Sequence, residues 1–295
     1  MTQTIDNQKY RAILAPNAEN ITFESNGLND FLQETFALTK RLFIQLQRRP
    51  STLVAGVIQP FMWLILFGAL FYNAPQSLFG DDFSYGQFLA PGIIVFTAFS
   101  GALNAGLPIM FDREFGFLNR LLVAPLASRF SIVAASTIYI ISLSLIQTAV
   151  IITASAFIGA GLPSATGLSA IALITFLIVL GVTGLSLGLA FALPGHIELL
   201  AVIFVINLPL LFASTALAPM AFMANWLQII ASLNPLTYAI EPIRYIYQHG
   251  DWNLASIVIS TPWTEINFGV VLLLLCGFDA LILLAIKPLL SRRFA

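Results

Sequence analysis

Long apolar stretches alternate with short polar segments along most of this chain. A helix needs about 20 mainly apolar residues to cross the hydrocarbon core of a membrane, because each residue advances it by about 1.5 Å. Stretches of that kind lie at about 51–73, 87–111, 131–160, 168–193, 199–222 and 264–286. Backbone groups in lipid must be satisfied within one segment, so these stretches predict helices and not strands. The predicted fold class is an all-α polytopic membrane protein with six transmembrane helices.

Two further elements precede the first apolar stretch. Residues 1–29 are polar and aperiodic, which predicts a flexible tail. In residues 30–49, apolar and basic positions recur at helical spacing, and Pro50 ends the pattern. The apolar positions are Leu32, Phe36, Phe43 and Leu46. Such an amphipathic helix, directly before a span, is typical of an interfacial helix lying on the membrane, with an ordinary surface helix as the alternative. The six-span domain is expected over 50–293.

The composition excludes several classes of function. Only 9% of the residues are charged, where soluble proteins have about 25%. A net charge of −1 gives no field that would attract nucleic acid. The single cysteine, Cys276, and the two histidines provide neither a disulfide framework nor a metal site. None of the lysines follows a glycine, so the chain has no P-loop, and catalysis within it is not expected.

Basic residues are concentrated on one side of the predicted membrane. All but one of the 13 lysines and arginines lie before the first span, between the second and third spans, or after the last span. Arg244 alone falls on the other side. Because cytoplasmic segments carry the excess of lysine and arginine, both termini are predicted to be cytoplasmic.

The segment 112–129 is a concentrated polar interruption between the second and third predicted spans. Its candidate residues are Asp112, Arg113, Glu114, Phe115, Gly116, Phe117, Leu118 and Arg120. The charges alone fit a solvated loop. Phenylalanine and leucine beside them favour a contact surface, because apolar side chains act as anchors and charges at the rim set the register. The segment therefore predicts a docking surface for a soluble partner that supplies energy.

The segment between the fifth and sixth spans, 223–263, is too long and too apolar for a solvated loop. Asn234 is expected to cap a helix that has Pro235 at its first position. Tyr238 belongs to a group of aromatic residues that favour membrane interfaces. We therefore predict a pair of short helices that re-enter the outer leaflet. Glu241 and Arg244 are three residues apart and are expected to pair on one helix face, with an outer-gate role as a further hypothesis.

Several polar side chains fall inside the predicted spans. Asn104, Gln147 and Asn207 are uncharged and are candidates to line a transport route. Asp279 is a carboxylate in the last span, and intramembrane acids often have functional roles. It could couple transport to ions, make a polar contact with a neighbouring helix, or face a water-filled vestibule.

Four short motifs occur in a characteristic order and spacing. They are Arg48-Arg49-Pro50, then Phe88-Leu89-Ala90-Pro91-Gly92, then the run from Arg113 to Pro125, and finally Asn234-Pro235-Leu236-Thr237-Tyr238 followed by Glu241 and Arg244. Together they make the chain, over about Phe31 to Arg293, similar to the membrane subunits of the type-2 ABC transporter permease family, the exporters of drugs, lipids and polysaccharides. Phe117 stands where that family usually has a threonine or serine.

The resemblance implies a permease subunit that pairs with a second copy or a homologue in the plasma (inner) membrane. Two separate ATPase subunits would carry ATP and Mg, with no cofactor and no enzyme activity in this chain. Residues 30–49 would match the connecting helix, 112–128 the coupling helix, and 223–263 the outward re-entrant hairpin. The substrate would be amphipathic. The alternative is a secondary transporter or membrane scaffold that needs no ATPase, although the two halves show no clear internal repeat.

Overall fold

The computed structural model describes residues 27–73, 85–118, 128, 130–250 and 252–294. The first half of the described chain contains α1 (Gly27–Arg48), α2 (Ser51–Leu70), α3 (Tyr85–Leu103), α4 (Gly106–Glu114) and α5 (Phe130–Ser155), which ends in a π-helical turn (Ala156–Ala160). The second half contains α6 (Ala165–Ala192), α7 (His196–Phe212), a 3₁₀ turn (Met220–Phe222), α8 (Asn225–Leu233), α9 (Pro235–His249), β1 (Ile257–Ser260), β2 (Glu265–Asn267) and α10 (Phe268–Phe294).

Five helical segments of the described chain are long and apolar enough to cross a membrane. They are Leu53–Leu70, Tyr85–Glu114, Phe130–Ala160, Ala165–Ala192 and Phe268–Pro288. The remaining predicted span, 199–222, is a regular helix only as α7, which has 17 residues. At 1.5 Å per residue α7 covers about 26 Å, which is shorter than a hydrocarbon core of about 30 Å. The protein is a mostly helical polytopic membrane protein, and the count of six spans stays a prediction.

Helix α3 lies at the centre of the bundle, in contact with α2, α5, α6 and α9. Most of its side chains are buried, among them Leu89, Ile93 and Phe96. Helices in lipid associate mainly through close packing, because lipid tails are as apolar as the side chains they replace. Gly92 permits one such approach, since a Cβ at this position would lie 2.5 Å from the carbonyl oxygen of Ala216.

A single turn at Asn104 and Ala105 interrupts the second predicted span, three residues before Pro108. The buried hydroxyl of Ser186 in α6 bridges the interruption. It donates to the carbonyl oxygen of Leu103 at 2.6 Å and accepts from the backbone N–H of Gly106 at 2.9 Å. Pro108 is tolerated because it lies in the first turn of α4, where an N–H has no partner within the helix.

Helix α1 covers most of the segment 30–49 for which a helix was predicted, and it begins at Gly27, within the segment 1–29 that was predicted to be a flexible tail. It packs on α5, and its buried residues are Thr35 and Thr39. Leu32 and Phe36 are exposed, whereas the ring of Phe43 lies 5.4 Å from that of Tyr139. The exposed apolar side chains leave a face that an interfacial helix would turn toward lipid.

The segment 223–263 contains the two predicted short helices, α8 and α9, and also the start of an antiparallel hairpin that was not predicted. Strands β1 and β2 pair with Ile259 opposite Ile266, and both of these side chains are buried. β-Branched residues at Ile257, Val258 and Ile259 favour this extended conformation. The described chain is otherwise helical, in agreement with the predicted all-α polytopic class, and the last span begins at Phe268, later than the predicted residue 264.

Candidate functional site

The guanidinium of Arg113 binds the C-terminal end of α6. It donates to the carbonyl oxygens of Ala190 at 2.8 Å, Leu193 at 2.6 Å and Pro194 at 2.6 Å. The last carbonyl groups of a helix have no partner within the helix, and a cation at this end is also favoured by the helix dipole. Arg113 therefore joins the predicted coupling segment to α6, and its charge is engaged within the subunit.

Glu114 makes the corresponding contact with the N-terminal end of α7. Its Oε1 accepts from the backbone N–H of His196 at 2.6 Å, and its Oε2 lies 2.5 Å from Nδ1 of the same residue. The residue before this helix is Gly195, which has no side chain to cap the free N–H groups. A carboxylate near a helix N-terminus is also favoured by the dipole. Glu114 therefore caps α7 from a distant part of the chain.

The same segment also contacts α1. The guanidinium of Arg41 lies 3.7 Å from a carboxylate oxygen of Asp112 and 4.2 Å above the ring centre of Phe117. A partly exposed ion pair contributes little by itself, and the ring contact adds about 0.5–1 kcal/mol. Together they give α1 a defined position beside the end of α4.

The predicted apolar anchors divide into a buried and an exposed set. Leu118 is buried in a small cluster with Ile109 and Phe191. Gly116 has a φ of +75°, a conformation that favours glycine, and turns the chain at this point. Phe115, next to this turn, has 79% of its surface exposed. Arg120 lies outside the described residues.

Asn234 links the end of α7 to the start of α9. Its Nδ2 donates to the carbonyl oxygens of Leu210 and Ala213, each at 2.7 Å. Its Oδ1 accepts from the backbone N–H of Leu236 at 2.9 Å, and Pro235 occupies the first helical position. The predicted helix start is confirmed, and the two donor contacts could not be predicted from local sequence.

Arg244 is buried and lies between three parts of the chain. It pairs with Glu241 and donates to the carbonyl oxygens of Phe88 at 3.3 Å and Thr215 at 2.6 Å. Its guanidinium also lies 3.8 Å from the ring centre of Phe88. Burial lowers the pKa of Arg244, and the Glu241 carboxylate opposes that shift. The predicted pair is confirmed, and an outer-gate role stays a prediction.

Tyr238 ties the two short helices together, because its hydroxyl donates to the carbonyl oxygen of Ser232 at 2.6 Å. Burial raises the pKa of Tyr238, so the hydroxyl keeps its proton and remains a donor. Tyr238, Asn234 and Arg244 thus all anchor α9 to neighbouring elements.

Two of the intramembrane candidates, Asn104 and Gln147, line one cavity of about 330 Å³ between α2, α3 and α5. The third, Asn207, accepts a hydrogen bond at 3.1 Å from Ser100, which lines the same cavity. Gln59 also lines it and was not among the predicted residues, although its place inside the first apolar stretch was a usable signal. The structure therefore gathers the polar amides of several helices in one place.

Asp279 lies apart from these amides, on the face of α10 that packs against α6. It is buried beside Gly181, where a Cβ would lie 2.4 Å from Oδ1. Both carboxylate oxygens are buried without a hydrogen-bond partner among the described residues, and the three predicted roles of Asp279 stay predictions. Within the described ranges, no group of three or more histidine, cysteine, aspartate or glutamate side chains could hold a metal ion.

These features define a helical polytopic membrane protein with polar contacts at the ends of its helices. Membrane transporters belong to this class. Comparison with known families matches residues 33–247 to the family described as ABC-2 type transporter. The chain belongs to this family.

Relatives agree with that assignment. A protein of Porphyra purpurea named as a transport permease, ycf38, is 58% identical over 252 residues, which cover 85% of this chain and 87% of that protein. The protein of the same name from Cyanophora paradoxa is 54% identical over 264 residues, covering 90% and 91%. DrrC of Mycobacterium tuberculosis, named as a doxorubicin resistance ABC transporter permease protein, is 25% identical over 226 residues, covering 74% and 78%. The chain is a transmembrane permease of the ABC-2 type.

Proposed function

We propose that this permease is the membrane subunit of an ATP-driven exporter of an amphipathic substrate. It pairs with a second copy or a homologue, and two ATPase subunits that bind ATP and Mg drive the complex. Both termini face the cytoplasm of a plasma (inner) membrane, and neither nucleic acid nor catalysis in this chain is involved. The family and the names of the relatives support the proposal.

The observation that carries the proposal is the attachment of the segment 112–118 to three helices. Arg113 holds the end of α6, Glu114 holds the start of α7, and Asp112 and Phe117 contact Arg41 in α1. A conformational change in a soluble partner moves the spans only through an element that contacts both. A displacement of this segment by the partner would therefore be transmitted to α1, α6 and α7.

Phe115 is the contact we assign to the ATPase. It is the exposed aromatic side chain of the segment, and such side chains anchor interfaces when a partner buries them. Trp263 offers a control, since it is an exposed aromatic side chain between β1 and β2, outside the five long spans. Arg113 and Glu114 are poorer probes, because substitutions there disturb contacts inside the subunit.

The test is purification of the tagged permease from membranes together with its ATPase subunits. Phe115→Asp is expected to lose the ATPase and ATP-dependent transport, whereas Trp263→Asp keeps the ATPase. A Phe115→Asp variant that retains both the bound ATPase and transport removes this residue from the coupling contact. Full transport by vesicles that contain the permease alone overturns the proposal.

A secondary transporter coupled to ions at Asp279 is the alternative, favoured by the burial of this carboxylate in a membrane helix. Under that alternative, Asp279→Asn abolishes transport driven by an ion gradient. Under our proposal, the same variant leaves ATP-driven transport largely unchanged, because ATP hydrolysis and not an ion gradient supplies the energy.

A further inference from the structure

Two cavities lie next to each other between α1, α2, α3, α4 and α5. The first, the amide cavity, has the volume of about 330 Å³ described above and is lined by Gln59, Asn104 and Gln147. The second, the arginine cavity, has a volume of about 490 Å³ and is lined by Gln45, Arg48 and Arg49. The walls of both contain Pro108 and Tyr139, so these two residues lie between a cationic cavity and a polar, uncharged one.

Gln147 is the buried polar group of the amide cavity. Its residue is 3% exposed, and its Oε1 has no hydrogen-bond partner among the described residues. Glycines make the space for it, because a Cβ at Gly56 would lie 2.3 Å from Nε2 and one at Gly101 would lie 3.2 Å from Oε1. The hydroxyl of Ser144, one turn away on α5, is also buried and unpartnered in the described chain. Unpaired buried polar groups need a ligand or water to complete them.

Arg48 and Arg49 give the arginine cavity its charge. Neither forms an ion pair with a described residue, in contrast to Arg41, which pairs with Asp112. The described residues that line the two cavities include no aspartate or glutamate. Guanidinium groups bind phosphate through two parallel hydrogen bonds, and basic residues at the end of a span attract anionic lipid headgroups.

The distances suit an elongated amphiphile. Tyr139, in the shared wall, and Gln147, in the wall of the amide cavity, are eight residues apart on α5, which corresponds to about 12 Å along the helix. A headgroup held beside Arg48 therefore places the groups that follow it near Gln147. Free inorganic phosphate is too small to contact both ends.

We propose that the two cavities form one binding site for an amphiphile that carries a phosphate group and a net negative charge. Arg48 and Arg49 hold the phosphate, and the amides of Asn104 and Gln147 hydrogen-bond to the ester or hydroxyl groups that join it to the apolar tail. That this amphiphile is the transported substrate rests on the proposed function. The binding itself does not require the ATPase.

The experiment measures lipid binding to the purified full-length permease in detergent by native mass spectrometry. The probes are phosphatidylglycerol, phosphatidylcholine and inorganic phosphate. We expect one retained phosphatidylglycerol that phosphatidylcholine and millimolar phosphate fail to displace. Arg48→Gln with Arg49→Gln should bind it about 30-fold more weakly, since each basic residue near a membrane surface strengthens the binding of an anionic lipid about fivefold.

Two further variants make the result specific. Lys40→Gln removes one charge from the same helix outside both cavities and should leave binding unchanged. Gln147→Leu should weaken the binding of phosphatidylglycerol while preserving the thermal stability of the permease, which shows that the fold is intact.

The proposal is overturned if the double arginine variant binds as the parent does, if phosphatidylcholine binds equally well, if free phosphate displaces the lipid, or if the cavities retain only water. Failure of ATPase coupling with this binding intact contradicts the proposed function and leaves the site standing.

Discussion

The guanidinium of Arg113 lies 2.8 Å from the carbonyl oxygen of Ala190, the last residue but two of α6. This contact joins the end of α4 to a helix that is 77 residues away in the chain. Arg113 was predicted to belong to a docking surface, and this contact shows that it fixes the position of that segment within the subunit.

Replacing Arg113 by glutamine should lower the stability of the permease. The variant leaves the carbonyl oxygens of Ala190, Leu193 and Pro194 without their charged donor, which corresponds to about 1–3 kcal/mol. Thermal unfolding in detergent measures the change. Arg113→Lys is the control, because lysine keeps the charge but loses the forked geometry of the guanidinium. Its unfolding temperature should lie between those of the parent and of the glutamine variant. If both variants unfolded at the same temperature as the parent, the contacts of Arg113 with the end of α6 would not stabilise the permease.

Asn234→Ala should be more destabilising than a typical loss of a helix cap. A cap contributes about 0.5–2 kcal/mol, and this side chain also satisfies two carbonyl oxygens of another element. Asn234→Asp keeps the acceptor that caps α9 but removes both donor contacts. A buried carboxylate oxygen would then face the carbonyl oxygens of Leu210 and Ala213, so both variants should unfold at a lower temperature than the parent. Equal temperatures for asparagine and aspartate would mean that the contacts with Leu210 and Ala213 add nothing.

Gly181→Ala should disturb the packing of α6 against α10. The new Cβ would lie 2.4 Å from Oδ1 of Asp279 and 2.6 Å from the ring of Phe278, so the helices must move apart. Gly184→Ala is the matched control, since its nearest contact is 3.2 Å, to Ile282. We expect a loss of folded yield after membrane extraction for the first variant only. Comparable yields for both variants would show that the α6–α10 contact is loose.

The orientation in the membrane can be tested by labelling single cysteines after Cys276 is replaced by serine. A cysteine at Ala255, which is exposed between α9 and β1, should react with a membrane-impermeant reagent in intact cells. A cysteine at Gln47, which is exposed in α1, should react only after permeabilisation. The reason is the excess of basic residues on the side that carries α1. Labelling in the opposite order would overturn the predicted topology.

Features that depend on neighbours in the chain were predictable. A membrane helix satisfies its own backbone, so apolar length alone located the five long spans. The cap at Asn234, the first-turn proline at Pro235 and the pair formed by Glu241 and Arg244 also follow from spacing within one helix. The hairpin of β1 and β2 was missed, because short strands next to a span carry little periodic signal.

The tertiary structure decided which polar groups meet. From the sequence by itself, Arg113 and Glu114 were charges in a polar segment, and Gln147 was an isolated amide in a span. Their partners at Ala190, His196 and Gly101 lie more than 40 residues away, and only the packing of the helices sets those distances. The sequence alone thus determined a membrane permease with its basic side and its helices. Packing between helices decides which charged side chains contact the ends of helices and which polar side chains remain without a partner. The reason is that this packing brings together residues that no local sequence pattern connects.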